Sequence, residues 1–142
     1  MYQKTITLFN YYESKISGIF LWYPTVFRNV NLVVDKAAIT AKYGEKAQDN
    51  AILHVRQPNG SKPWLSPKEW ANQVNDSLPD FVTFKSGDFF WLGEWPDEIP
   101  VNEEDYVDGF YDYMSNKYDY VFRVTTVGGP YSLIPHFEIL GR

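Results

Sequence analysis

The residues that most often hold metal ions in proteins are scarce in this chain. It has two histidines, His54 and His136, and no cysteine. The two lie far apart in sequence, and neither has a second histidine two or four residues away, the spacings that place two rings together. A histidine in a β-strand is more often structural or solvent-facing than a ligand. We therefore expect no metal site and no cofactor.

Side chains for covalent or acid–base catalysis lack a recognisable arrangement. The sequence has no Gly-x-Ser-x-Gly nucleophile motif and no glycine-rich phosphate loop. Nine of the 18 acidic residues lie in segment 94–119, together with a single base, Lys117. Two carboxylates across a cleft can hydrolyse a glycoside, but a run of charge is usually a solvated surface. The sequence predicts that the protein is not an enzyme.

Aromatic side chains are the most prominent feature of the sequence. The stretch FVTFKSGDFFWLGEW (81–95) places Phe89, Trp91 and Trp95 on one face of a strand and Phe90 and Leu92 on the other. We expect one set to fill the core. The other set should lie under a helix at about 66–75, which carries Trp70, or under a neighbouring subunit. Exposed rings that stack on sugars are the alternative, because a carbohydrate-binding β-domain needs rings rather than catalytic acids.

The elements that position these rings are mostly strands. Alternating β-formers in KTITLFNYY (4–12), NVNLVV (29–34), AILHVR (51–56) and YDYVFRVTTV (118–127) predict strands. Ser66, Pro67 and Glu69 form a helix start with a capping box. We predict a single mainly-β domain over 1–142, a small barrel or barrel-like sandwich with one inserted helix (about 66–75) and long loops at 35–50 and 96–117.

Charge and hydropathy restrict the partners. A net charge of −5 and a pI of about 4.9 disfavour general binding to nucleic-acid phosphates. They leave open a channel through which DNA slides without sticking. No apolar run approaches the roughly 20 residues of a membrane span, and the first residues lack a signal-peptide core. We expect a protein that is made inside the cell and has no membrane partner.

The order of several motifs resembles a known family. TITLFNYY (5–12), AILHVR (51–56), LSPKEW (65–70), FKSGDFFWLGEW (84–95), YVFRVTTV (120–127) and PHFEILGR (135–142) follow one another across most of the chain. Together they resemble a minor capsid protein family of phages that infect Gram-positive bacteria, and more loosely the head–tail connectors called head-closure proteins or stoppers.

The resemblance implies a structural neck protein of the virion, assembled in the host cytoplasm. Six or twelve copies would form a ring below the portal and adaptor and above the tail-terminator and tail proteins, retaining packaged DNA in the channel. The loop that projects into the channel in stoppers would correspond to 35–50, where Lys36, Lys42 and Lys46 could contact DNA. A tail-completion protein of the same neck and a carbohydrate- or host-surface-binding β-domain remain the alternatives.

Overall fold

The computed structural model describes residues 4–14, 17–34, 51–56, 62–73, 75–131 and 136–142. In this part of the chain there are seven strands: β1 (Lys4–Glu13), β2 (Phe20–Val34), β3 (Ala51–Arg56), β4 (Phe89–Trp91), β5 (Val101–Asn102), β6 (Val121–Tyr131) and β7 (His136–Gly141). There are two α-helices, α1 (Pro67–Ala71) and α2 (Phe110–Lys117), and two 3-10 helices (Asn75–Asp80 and Glu103–Asp105). No helix within these ranges is long and apolar enough to cross a membrane.

Six of the strands close into an antiparallel barrel. Their order is β1-β4-β6-β7-β3-β2, and β2 pairs back with β1. The short β5 adds to the start of β2 outside this ring. The predicted mainly-β barrel is therefore confirmed, and the closed form of the two predicted alternatives is the one adopted.

The strand β2 pairs with β1 over residues 20–30 and with β3 over residues 31–34, and it bends at a bulge near the change of partner. Lys4 lies opposite Val30, while Ile6 lies opposite Phe27, so β2 carries one extra residue between these pairs. Within this interval Asn29 has a φ of 59°, which asparagine tolerates better than most residues. Beyond the bulge β2 leaves β1 and pairs with β3, which turns the sheet toward closure.

Buried side chains form three clusters. The first fills the barrel interior and includes Leu8, Phe27, Phe90 and Phe122. The second lies outside the barrel, between its wall and α2, and includes Phe9, Trp22, Phe89, Phe110 and Met114. The third, Tyr12, Tyr23, Trp70 and Leu78, joins β1 and β2 to α1 and the 3-10 helix that follows it.

Two predicted non-strand segments differ from the structure in extent or type. The helix predicted at about 66–75 begins with Pro67 as expected, but α1 ends at Ala71 and a 3-10 helix begins at Asn75. The Ser66 hydroxyl donates to the Glu69 carboxylate at 2.7 Å, with no side-chain bond to a backbone N–H of the helix. The loop predicted at 96–117 is wrong in its second half, which contains the eight-residue helix α2. The predicted loop at 35–50 lies outside the described residues.

Candidate functional site

The strand β4 carries aromatic rings on both faces, and the rest of the chain covers both faces. Phe90 points into the barrel, where its ring centroid lies 5.6 Å from that of Phe122. Phe89 points outward and stacks on Phe9 at 4.7 Å, and the ring of Phe110 in α2 lies 5.7 Å away. The cover of the outer set is therefore α2, and the prediction of the helix at 66–75 in that place was wrong.

The other predicted packing residues are distributed over two clusters. Trp91 and Trp95 are partly buried and pack against the cluster under α2. The ring centroid of Trp91 lies 4.6 Å from that of Tyr118. Trp70 is fully buried in the third cluster, away from the other two tryptophans, where its ring meets Tyr12 edge-on at 5.6 Å. Lys36, Lys42 and Lys46, predicted to face a DNA channel, lie outside the described residues.

Two polar side chains fasten the acidic segment to the barrel wall. One Glu103 carboxylate oxygen accepts the indole N–H of Trp22 at 3.0 Å and the backbone N–H of Phe110 at 2.7 Å. It therefore serves as the acceptor at the start of α2, where Gly109 has no side chain to cap the helix. The Thr7 hydroxyl donates to the carbonyl of Gly93 and accepts the N–H of Trp95, both at 2.9 Å.

A buried carboxylate holds the turn before β4. Asp88 is fully buried and accepts the side-chain amide of Asn10 at 2.7 Å, the N–H of Tyr11 at 2.9 Å and the ammonium of Lys85 at 2.5 Å. Burial raises the pKa of the Asp88 carboxyl, and the Lys85 ammonium and the hydrogen bonds act in the opposite direction. The Lys85 ammonium also lies 4.9 Å from the centroid of the Trp70 ring. Because every partner is internal to the fold, this network is structural.

The outer side of α2 carries a surface cleft. Its volume is about 650 Å³, and its lining includes Tyr106, Val107, Asp108, Tyr113 and Lys117. The centroids of the two tyrosine rings are 4.7 Å apart, and the Lys117 ammonium donates to the Tyr113 hydroxyl at 3.0 Å. The cleft combines rings, carboxylates and a fully exposed valine, which are groups suited to contact with a protein or a sugar.

The outer surface of β2, β3 and β7, which we call the β3 face, lies on the opposite side of the barrel. In the strand order β3 is three strands from β4 in either direction. Val33 pairs with Ile52 and Ile52 with Leu140, and the first two are 52% and 38% exposed. This face therefore presents an apolar row to solvent.

Beside the apolar row, the β3 face brings the two histidines together. His54 lies directly opposite Glu138 on the neighbouring strand, and His136 lies two residues before Glu138 on the same strand. One carboxylate oxygen of Glu138 is 3.8 Å from Nε2 of His54, and the other is 3.4 Å from Nε2 of His136. The spacing of His136 and Glu138 in one strand was a readable signal, whereas the pairing of β3 with β7 was not.

Within the described residues, the geometry defines a closed six-stranded antiparallel barrel with an acidic, aromatic helical segment packed on one wall and a partly exposed sheet face opposite. The chain belongs to a family of unknown function, DUF6751, whose family model matches residues 1–142. No curated protein and no solved structure gives a significant match to the chain.

Proposed function

We propose that this protein is a structural subunit of a tailed-phage neck that acts in head closure. In this role a ring of copies joins the portal and adaptor to the tail proteins and retains packaged DNA. The proposal rests on the motif resemblance across most of the chain and on the small closed barrel. The single observation that carries it is the contrast between the mostly buried rings and the exposed apolar side chains of Val33 and Ile52 on the β3 face.

Most of the aromatic side chains pack inside the fold, as expected for a structural protein. Among the aromatic residues whose exposure is described, only Tyr113 and Tyr120 are exposed, at 37% and 40%. A sugar-binding module needs a row of exposed rings, and the other rings of the described chain are buried or partly covered. A structural role uses the same rings for packing and stability.

The β3 face supports assembly because neighbouring exposed apolar side chains favour burial against another protein. A closed ring needs two different contact surfaces on each subunit. The apolar row on the β3 face and the cleft beside α2 lie on opposite sides of the barrel, so one subunit can use one surface for each neighbour. Carboxylates of the 94–119 segment that face a channel would repel DNA and keep it mobile.

The proposal is tested by electron microscopy of lysates from a phage in which this gene is disrupted. Heads without DNA beside free, finished tails are the expected result. Full heads beside unjoined tails would move the assignment to tail completion in the same neck. Normal virions that bind hosts poorly would exclude the neck role and favour a carbohydrate- or host-surface-binding domain, for which the Tyr106–Tyr113 cleft is the candidate site.

Complementation of the disrupted gene with variants tests the apolar row and the proposed DNA-contacting lysines separately. The double variant Val33→Glu and Ile52→Glu places charges in the apolar row and should fail to restore virions. Ile99→Glu is the matched control, because Ile99 is 68% exposed and lies outside both the apolar row and the cleft lining. The variant Lys36→Gln, Lys42→Gln, Lys46→Gln tests the proposed DNA contacts, and loss of packaged DNA from joined particles is the expected defect. Equal complementation by the Val33/Ile52 variant and its control would exclude the apolar row as an assembly surface.

A further inference from the structure

A small cleft opens on the barrel wall where β2 lacks a neighbouring strand on one side. On the side away from β1, β2 pairs with β5 at Leu21 and Trp22 and with β3 from Asn31 onward. Between these contacts no described strand pairs with that side of β2. The cleft lies there, between β2 and segment 94–98, and its volume is about 330 Å³. The side chain of Lys62 forms part of its lining.

We propose that Lys62 is a covalent modification site, at which the side-chain amine condenses with small, uncharged aldehydes that enter this cleft. The proposal does not depend on the neck function, because it concerns the chemistry of one side chain in the folded protein. A lysine that forms imines needs an amine that is held in place, partly withdrawn from water and free to use its lone pair. Lys62 meets each of these conditions.

Two hydrogen bonds hold the Lys62 amine against β2. Its Nζ donates to the carbonyl oxygen of Pro24 at 3.1 Å and to the hydroxyl of Thr25 at 2.9 Å. An ammonium group has three N–H donors, whereas the neutral amine has two donors and a lone pair. No third acceptor for Nζ lies within hydrogen-bond distance among the described residues. Loss of one proton therefore breaks neither bond, and the lone pair takes the position that β2 does not occupy.

The surroundings of Lys62 also favour the neutral amine. The side chain is partly buried, and burial lowers the pKa of the Lys62 ammonium because the charged form is costly away from water. The carboxylates of Glu98 and Asp80 act in the opposite direction but more weakly. At neutral pH Lys62 therefore has a larger fraction of nucleophilic amine than a fully solvated lysine has.

The other charges of the cleft select the aldehyde. Arg28 and Glu94 pair with each other at 2.7 Å. Asp97 and Glu98 lie in the same lining and are exposed. These two carboxylates disfavour an aldehyde that carries a carboxylate or phosphate, and their oxygens can accept hydrogen bonds from hydroxyl groups. The expected class of reactant is therefore a short hydroxyaldehyde without charge.

The condensation at Lys62 balances without a cofactor. The lone pair of Nζ forms a bond to the carbonyl carbon, and the π electrons of the C=O bond move to the oxygen, which takes up the proton that Nζ loses. The resulting carbinolamine then loses its hydroxyl group and the remaining N–H proton as water, which leaves a C=N bond. The step is reversible and consumes neither an oxidant nor a reductant.

The experiment treats the folded full-length protein with glycolaldehyde, an uncharged hydroxyaldehyde, and with sodium cyanoborohydride, which reduces the imine to a stable secondary amine. The reaction is stopped at low conversion, and peptide mass spectrometry assigns the modified lysines. Lys68, which is exposed on α1, is the internal reference. At pH 7 Lys62 should carry at least about fivefold more adduct than Lys68. As the pH is raised, the yield at Lys62 should also begin to increase earlier than the yield at Lys68.

Two variants and two conditions test the cause. Lys62→Arg keeps a cation that can bond to β2 but cannot form the imine, so it should remove the main adduct, whereas Lys68→Arg should leave the yield at Lys62 unchanged. With glyoxylate, an anionic aldehyde, the ratio of Lys62 to Lys68 adduct should fall by about threefold or more. In urea the ratio should fall to about one, because unfolded lysines share one environment.

Equal adduct at Lys62 and Lys68 in the folded protein would overturn the proposal, and so would a preference for Lys62 that persists in urea. A ratio that is higher with glyoxylate than with glycolaldehyde would overturn the assignment to uncharged aldehydes. The labelling of the wild-type protein is decisive by itself, so the result does not depend on whether a variant folds.

Discussion

Replacing Glu103 with alanine should release α2 from the barrel wall at a large cost in stability. The carboxylate accepts two hydrogen bonds, from the Trp22 indole at 3.0 Å and from the Phe110 backbone at 2.7 Å. Both donor residues are buried, at 2% and 0% exposure, so neither donor gains full access to water when the acceptor is removed. A hydrogen bond to a charged group contributes about 1.5–3 kcal/mol, and partial access of water to the partly exposed Glu103 site lowers the sum. We expect Glu103→Ala to reduce the free energy of unfolding by about 3–4 kcal/mol.

Two variants isolate the cause. Glu103→Gln keeps an oxygen that can accept both bonds and loses only the charge, so it should cost about 1 kcal/mol. Glu104→Ala changes the adjacent exposed carboxylate and should stay within about 0.5 kcal/mol of wild type. Urea unfolding followed by tryptophan fluorescence gives the free energies, and the Trp22 indole N–H signal in a nitrogen-edited NMR spectrum reports the bond directly. The reasoning is refuted if Glu103→Ala and Glu104→Ala unfold at the same urea concentration.

Three further changes probe other parts of the fold. Lys85→Met removes the cation beside buried Asp88, whose pKa is already raised above 3.8 by burial. It should cost about 3 kcal/mol at pH 7. The loss should shrink as the pH falls toward 4, since a protonated carboxyl needs no cation, and a pH-independent loss in urea melts would contradict this. Phe89→Ala should cost about 3–5 kcal/mol and the partly exposed Trp91→Ala about half as much; equal losses in urea unfolding would argue against the observed burial. Gly141→Ala places a Cβ 3.1 Å from the Cβ of Phe122 and 3.1 Å from the ring of Phe90. It should lower the free energy of unfolding by about 1–3 kcal/mol in calorimetry, and an unchanged value would show that these two side chains can move aside.

The strands were predictable because their pattern is local. Alternation in 4–12 and 51–56 corresponds to β1 and β3, and both alternate between barrel interior and exterior along most of their length. Closure was not predictable to the same degree, because it depends on β1 pairing with both β2 and β4. Such pairing joins residues far apart in sequence, and periodicity in one segment carries no information about it. The sequence therefore predicts a small barrel and leaves a barrel-like sandwich as the alternative.

The helix α2 was missed because its composition conceals it. The sequence FYDYMSNK is rich in aromatic residues, which favour strands, and it lies within the acidic segment. Its helical signal is the four-residue spacing of Phe110 and Met114, both fully buried against the outer wall of the barrel. The helix is therefore stabilised by tertiary packing more than by its own propensity. This pair is therefore the signal in the sequence for the helix that covers the outer face of β4.

The location of α2 changes what the aromatic content means for function. A strand with rings on both faces was compatible with cover by its own fold, by a partner or by a ligand, and in the structure the chain itself covers both faces of β4. The number of rings therefore gives no support for a ligand, since packing accounts for most of them. Function has to be sought where the described chain leaves a surface bare, and the β3 face is the clearest case. There an apolar row lies beside two histidines that share one carboxylate. None of these side chains belongs to the cluster that fills the barrel interior. Assembly through that face depends on Val33 and Ile52, which are 52% and 38% exposed, so charges at these two positions test it without disturbing the barrel interior.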